Sequence, residues 1–272
     1  MFAERDLSPA VAAVREAHGP ALVLDVGEDF ETLPPAAAED LALLADLDPA
    51  SYPDAWLPPE APETLQGYAG GGFTVGAPGD GSVAWTRQTD PPAVLCKPRL
   101  ADSPAGFADF LVAAAAVEAT SGAPEHFLPF FGERYPDFAA AARPLFGPAD
   151  TYQLAVACHD AFLGLSTRET FVGWAGGDTQ PLFEAWLDAG DRLTGRLGNL
   201  SGAVARGETG FPAAAELGCS AVRHAVVPGD EAHQDPPVDL PAPFDALDAA
   251  VYREAGAEYA VAWLERTVES LS

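Results

Sequence analysis

The spacing of apolar residues changes character once along this chain, near residue 100, and that change limits what the chain can fold into. Downstream, Phe107, Phe110, Leu111, Ala114 and Val117 recur at the 3.6-residue period of an amphipathic helix, and Gly122 supplies a stop. Segments 136–146, 149–165, 181–206 and 244–271 carry the same period. Upstream, the apolar runs are of strand length and are separated by glycine and proline. The pattern predicts an α+β fold: a small mixed α/β part over residues 1–100, followed by a mainly helical part over 101–272, the two either separate or sharing one core.

Within the first part, Ser8-Pro9 is a cap followed by proline at the first helical position, which predicts a helix to Ala17 closed by Gly19-Pro20. Residues 21–26 (ALVLDV) read as a buried strand, and 35–46 as a helix with Leu41, Leu44 and Leu47 inward. The prolines at 49, 53, 58, 59 and 62 forbid regular helix, so this stretch is expected to be ordered coil held by Tyr52 and Trp56. Phe73-Thr74-Val75 and residues 82–87 flank Pro78-Gly79-Asp80-Gly81, which predicts a β-hairpin. Residues 93–97 would add a third strand, making a meander near 72–98. In the helical part, the stripe Leu182, Trp186, Ala189, Leu193, Leu197, Leu200, Val204 marks a core face. Gly198 and Gly202 beside it suggest close helix packing or a break near Asn199. Residues 221–227 read as a strand, 228–243 as a proline-rich acidic loop, and 244–271 as one long helix.

Charge restricts the solvent and the partners. Acidic residues number 41 against 14 basic ones, a net charge of −27, and the only lysine is Lys97. A GC-rich gene accounts for the missing isoleucine and the single Asn199, but would also raise arginine, which stays scarce. The acid excess therefore calls for a physical cause. Over all 272 residues the composition resembles the uncharacterised proteins of halophilic archaea, whose cytoplasm is rich in potassium chloride. That resemblance implies a compartment and a solvent, and no catalytic residue. Basic clusters that would neutralise phosphates are missing, which argues against nucleic-acid binding. Cys96, Cys158 and Cys219 form no CxxC pair and suit a reducing cytoplasm. Acids at Glu4 and Asp6 stand where a signal peptide needs basic residues, and no run reaches eighteen apolar residues, so neither export nor a membrane span is expected.

Three constellations bear on chemistry. Cys158-His159-Asp160 lies within the predicted helix 149–165, with His126 upstream and Asp188 or Asp191 downstream. The order His, His-Asp, Asp is similar to the metal-dependent HD phosphohydrolases. The resemblance implies that His126, His159, Asp160 and Asp191 bind a divalent metal that polarises phosphate and activates water. The alternative is a half-buried histidine beside a solvated aspartate. Arg87, Lys97 and Arg99 cluster beside Trp85, a set able to receive a small anionic ligand with paired donors and a stacking face; the alternative is pairing with acids such as Asp90 and Asp102. Asp230 to Asp235, which includes His233, gathers carboxylates without the offsets of a calcium loop.

Other spellings fail on context. Gly79-Asp80-Gly81 followed by Ala84 precedes a strand where a dinucleotide loop needs a helix. No serine has a GxSxG setting, and adjacent Cys158 and His159 point about 100° apart on a helix, so they form no nucleophile-base pair by adjacency. No complete catalytic set and no cofactor emerges, and a divalent metal enters only through the phosphohydrolase resemblance. The residues favour a non-enzymatic cytoplasmic protein that binds a protein partner or a small anionic ligand.

The charge makes a first prediction. Raising potassium chloride from about 0.1 M to about 1 M shortens the Debye length from ~10 Å to ~3 Å, so Tm should climb by several degrees over that range. A Tm that falls or stays level would separate the acid excess from salt adaptation.

Overall fold

The computed structural model describes residues 2–61, 63–69, 73–76, 81–224 and 240–271, and the fold is α+β. In chain order the strands are β1 (Phe2–Glu4), β2 (Leu22–Val26), β3 (Asp46–Leu47), β4 (Val83–Thr86), β5 (Thr89–Asp90) and β6 (Ala93–Cys96). The first helices are α1 (Pro9–His18), α2 (Pro35–Leu41), α3 (Glu63–Ala69), α4 (Ala105–Thr120), α5 (Phe127–Phe131) and α6 (Tyr135–Ala142). They are followed by α7 (Pro148–Val172), α8 (Gln180–Leu197), α9 (Leu200–Ala205), α10 (Phe211–Ala221), α11 (Ala249–Ala255) and α12 (Ala257–Leu271).

Contacts divide the chain into two units, and the division does not follow a cut at residue 100. The sheet unit takes Met1–Ser51, Gly70–Glu125 and Thr170–Trp186; the helical unit takes Tyr52–Ala69, His126–Glu169 and Leu187–Ser272.

In the sheet unit the strand order is β1-β2-β6-β4. β2 runs parallel to β6, with Leu22 opposite Ala93 and Leu24 opposite Leu95, while β1 and β4 pair antiparallel at the edges. All four side chains of β6 are buried, as expected of a central strand covered on both faces. Leu24, Ala84 and Leu95 join Phe30, Leu33, Leu41 and Val75 in one core. On the alternate positions Trp85 lies opposite Val94, and its indole N–H donates to the Glu118 carboxylate on α4 at 3.0 Å. Helix α4 packs on β4, β6 and α1. At the start of α1 the Ser8 hydroxyl accepts from the Val11 N–H, and Gly19 at φ 127° ends the helix, as the sequence signals predict.

The predicted hairpin does not form. Residues 73–76 are coil, and the turn residues 78–80 lie outside the described residues. The carbonyls of the would-be strand are taken elsewhere: Val75 accepts from the Leu33 N–H and Thr74 from the Gln88 side chain, both at 2.9 Å. The second and third strands of the predicted meander do pair, as β4 antiparallel to β6. Buried Gln88 replaces a turn as the organiser of this region. Its side chain donates to Thr74 and to Glu125 and accepts from the Ala50 N–H, joining three separate stretches of chain.

Helix α2 also ends earlier than the periodicity predicts. Leu41 is fully buried, but Leu43 is 83% and Leu44 44% exposed, because the chain extends at Asp46 to pair β3 with β5.

In the helical unit α6 packs against α12. Tyr52 and Trp56 hold the proline-rich coil by stacking at 5.5 Å between centroids, with a one-turn 3-10 segment at Asp54–Trp56. The predicted helix over 181–206 breaks at Asn199 into α8 and α9. A Cβ on Gly202 would first meet the Arg206 side chain at the end of α9, and one on Gly198 the Thr194 carbonyl. The predicted strand over 221–227 is instead the end of α10 and a 3-10 turn at Val222–His224; residues 225–227 lie outside the described residues. The predicted long C-terminal helix is a 3-10 turn, Phe244–Ala246, then α11 and α12, parted by Gly256 at φ 52°.

Close approach is tightest where a Cβ on Gly218 of α10 would lie 2.4 Å from the ring of buried Phe244. Glycine to alanine in a helix gains about 1 kcal/mol of propensity, whereas overpacking costs ~1–3 kcal/mol. Gly218→Ala should therefore lower stability by up to about 2 kcal/mol in denaturant titration; a raised midpoint would show that the Phe244 ring yields freely.

Candidate functional site

The four residues of the phosphohydrolase resemblance are not assembled as a metal centre. Among the described residues, no group of three or more His, Cys, Asp or Glu side chains is placed to hold a metal ion. His126 stands at the N-cap of α5, where its Nδ1 accepts from the Leu128 N–H at 3.2 Å. Its ring lies 4.8 Å from Tyr68, 5.7 Å from Tyr52 and 5.8 Å from Phe127, a cage of aromatic rings. His159 on α7 is buried against Phe130, with ring centroids 5.6 Å apart. Asp160 is half-buried beside it, and Asp191 on α8 is exposed. Asp188, the other downstream candidate, pairs with Arg192 one helical turn away at 2.8 Å.

Burial, with a smaller push from His159, lowers the His126 pKa to about 3. Burial likewise pushes the Cys96 and Cys158 thiols up to about 12 and raises Cys219 well above its usual value, so none of the three is a thiolate at neutral pH. Tyr252 donates its hydroxyl to the Cys158 carbonyl at 2.6 Å, tying α11 to α7.

The basic residues beside Trp85 are engaged within the sheet unit. Arg87 donates to the Ala123 carbonyl at 3.2 Å, and its own N–H is accepted by Glu125 at 2.9 Å. Burial raises the Glu125 carboxyl pKa, against the hydrogen bonds from Arg87, Gln88 and Thr86 that lower it. Lys97 is 1% exposed, with its ammonium 4.5 Å above the Phe30 ring, a cation-π contact. Arg99 lies in a 3-10 turn, Pro98–Asp102, with Asp29 at 3.5 Å, Glu31 at 3.8 Å and the Gly81 carbonyl at 3.0 Å. Pairing with acids is thus seen for the Arg99 side chain, through Asp29 and Glu31 and not through Asp90 or Asp102. The acidic stretch 230–235 lies outside the described residues.

Sequence reasoning did not single out the concavity that the helical unit does hold. A cleft of about 230 Å³ lies between the proline-rich coil, α6 and the start of α7. Pro58 and Ala61 form one wall, Tyr135 and Ala139 of α6 another, and Phe146 and Pro148 the floor between α6 and α7. Two charged groups line it, Glu60 and Arg143, and they are hydrogen-bonded to each other. Arg143 keeps 67% of its side chain exposed, so the pair adds only about 0–1 kcal/mol. A second, wider groove of about 530 Å³ follows α6 and α12, where Arg134 meets Asp137 at 3.8 Å and Glu258 at 3.7 Å. Its remaining charged group, Glu265, leaves it acidic, and its other lining is alanine and valine.

A family model described as a family of unknown function, DUF7089, matches residues 1–271. The chain belongs to this family. No curated protein and no solved structure matches it. For this DUF7089 chain the described geometry is therefore the source of any functional argument. No helix among its described residues is long and apolar enough to cross a membrane.

His126 yields a pH prediction. An unfolded imidazole takes up a proton below about pH 6.5, whereas the folded one stays neutral until about 3, so in that window the unfolded state binds more protons. Stability from this group is complete above pH 6.5 and is lost as pH falls towards 3, by at most ~1.4 kcal/mol per pH unit. His126→Asn keeps an acceptor for the Leu128 N–H without titrating. Between pH 7 and 5 its Tm should fall by about 2–4 °C less than the parent's; parallel slopes would contradict the depressed pKa.

Proposed function

We propose that this DUF7089 protein is a non-enzymatic binding protein whose ligand is a small, mainly apolar molecule held in the cleft beside Arg143. The cleft itself carries this reading: about 230 Å³ is room for some eight waters at ~30 Å³ each, or one ring-sized organic molecule. Its volume falls below the ~300–1,000 Å³ of drug-sized sites, which restricts the ligand to a small one. Apolar walls and few polar groups favour partition of such a molecule out of water. The working solvent is the salt-rich cytoplasm of a salt-adapted archaeon, a reading supported by the net charge of −27 and by three buried, unpaired cysteines. The metal-dependent phosphohydrolase has no observation in its favour.

Ligands that bind only the folded state raise its stability by RT ln(1 + [L]/Kd), about 2.7 kcal/mol at a hundredfold excess over Kd. A library of small aromatic and aliphatic compounds, screened by thermal shift in molar potassium chloride, should contain members that raise Tm. Ala139→Leu narrows the cleft and should abolish those shifts while leaving circular dichroism unchanged. If no compound of this size raises Tm, or if Ala139→Leu responds as the parent does, the cleft is not the binding site.

A further inference from the structure

We infer that the ligand of this cleft is a carboxylate, whose head group replaces Glu60 on Arg143 while its apolar body lies against Pro58, Ala139 and Phe146. This rests on the cleft being a binding site and names the class of molecule it takes.

The argument starts from what Arg143 already holds. Its guanidinium is hydrogen-bonded to the Glu60 carboxylate, and both residues line the same cleft. An arginine fork matches the two oxygens of a carboxylate and stays charged at every pH the protein meets. Glu60 thus shows which chemical group the fork accepts, and it is supplied from the coil, not from the helix that carries Arg143. Both side chains are substantially exposed, so the pair is easily opened. The free protein consequently carries its own competitor for the anion site. Among the described residues no other cation lines the cleft, which makes Arg143 the group that a negative head would meet.

An incoming carboxylate with an apolar body gains where Glu60 cannot. Glu60 delivers only its head group to Arg143, whereas a ring or short alkyl chain behind the head group also covers the apolar wall. A neutral molecule of the same shape covers the wall but leaves the Glu60–Arg143 pair in place. Bare inorganic anions reach Arg143 without filling the cleft, so chloride in molar salt is a weak competitor. The site therefore discriminates by the combination of a negative head and an apolar body.

The experiment compares matched pairs on the full chain in potassium chloride held constant near molarity: benzoate with benzamide, phenylacetate with phenylacetamide, hexanoate with hexanamide. Binding is followed by the chemical shifts of residues lining the cleft and by calorimetry. In the parent the carboxylates should bind more tightly than their amides. Glu60→Gln should tighten the carboxylates about two- to fivefold, by removing the internal competitor, and leave the amides unchanged. Arg143→Gln should weaken the carboxylates about tenfold or more and again leave the amides unchanged. Both sites are exposed, and matching melting curves of the variants will confirm that each is folded. If acids and amides bind alike in all three proteins, the carboxylate inference is overturned while the cleft remains a site. If no member of the series perturbs the cleft, both readings fall.

Discussion

The parallel pairing of β2 with β6 is the contact on which the sheet unit depends. Four successive residues of β2 face four of β6, and every side chain of β6 is buried. A parallel pair requires a crossover of a dozen residues or more. Here the crossover is residues 27–92, and it holds the loops of the core cluster, α2, α3 and three of the other strands, β3, β4 and β5. Burial of the strand continues one residue further to Lys97, whose N–H donates to the Ser82 carbonyl and whose ammonium lies over Phe30. The side chain of Lys97, just past the end of the strand, is thereby buried against an aromatic face of the same core.

That long-range pairing explains what could and could not be read in the sequence. Signals that act within one turn of backbone were legible: the Ser8 cap, the Gly19 stop, the apolar run of β2 and the helical period from Phe107 onward. The hairpin over 73–87 was a local inference that failed at its first strand: β4 pairs with β6 as a meander needs, but residues 73–76 are coil and Gln88 claims the Thr74 carbonyl. The leucines after α2 failed in a related way, whereas the stripe from Leu182 to Val204 marked a face on which Leu182, Trp186, Leu197 and Leu200 are buried. Periodicity reports which face is apolar, but not where a competing strand pair or a break at Asn199 ends the helix.

The candidate sites divide along the same line. Residue type alone placed Arg87, Lys97 and Arg99 near one another, and the structure couples Arg87 and Arg99 to carboxylates and carbonyls of their own unit. His126 and His159 share a unit but are packed against aromatic rings. The cleft escaped the sequence because its walls come from a proline-rich coil and from helices more than seventy residues further on. Glu60 and Arg143 are 83 positions apart, and no spacing rule joins them. In a chain with so few cations, several fasten elements together: Arg253 donates to the Leu165 carbonyl and Arg5 meets Asp25. Arg143 and Arg134 instead pair with acids that line concave surfaces, and of these two surfaces the one at Arg143 is the more apolar.

Each unit is assembled from three separated segments, and α7 passes from one to the other at Glu169–Thr170. During synthesis the ribosome releases the sheet strands early, yet Phe110, beside Phe107 on its own helix, gains its further aromatic neighbours Phe171 and Trp174 only some sixty residues later. The helical unit waits longer, since α6 gains its α12 partner only when the last helix has left the exit tunnel. Neither unit can be lifted out as an uninterrupted stretch of gene. The family match accordingly covers both units, over residues 1–271.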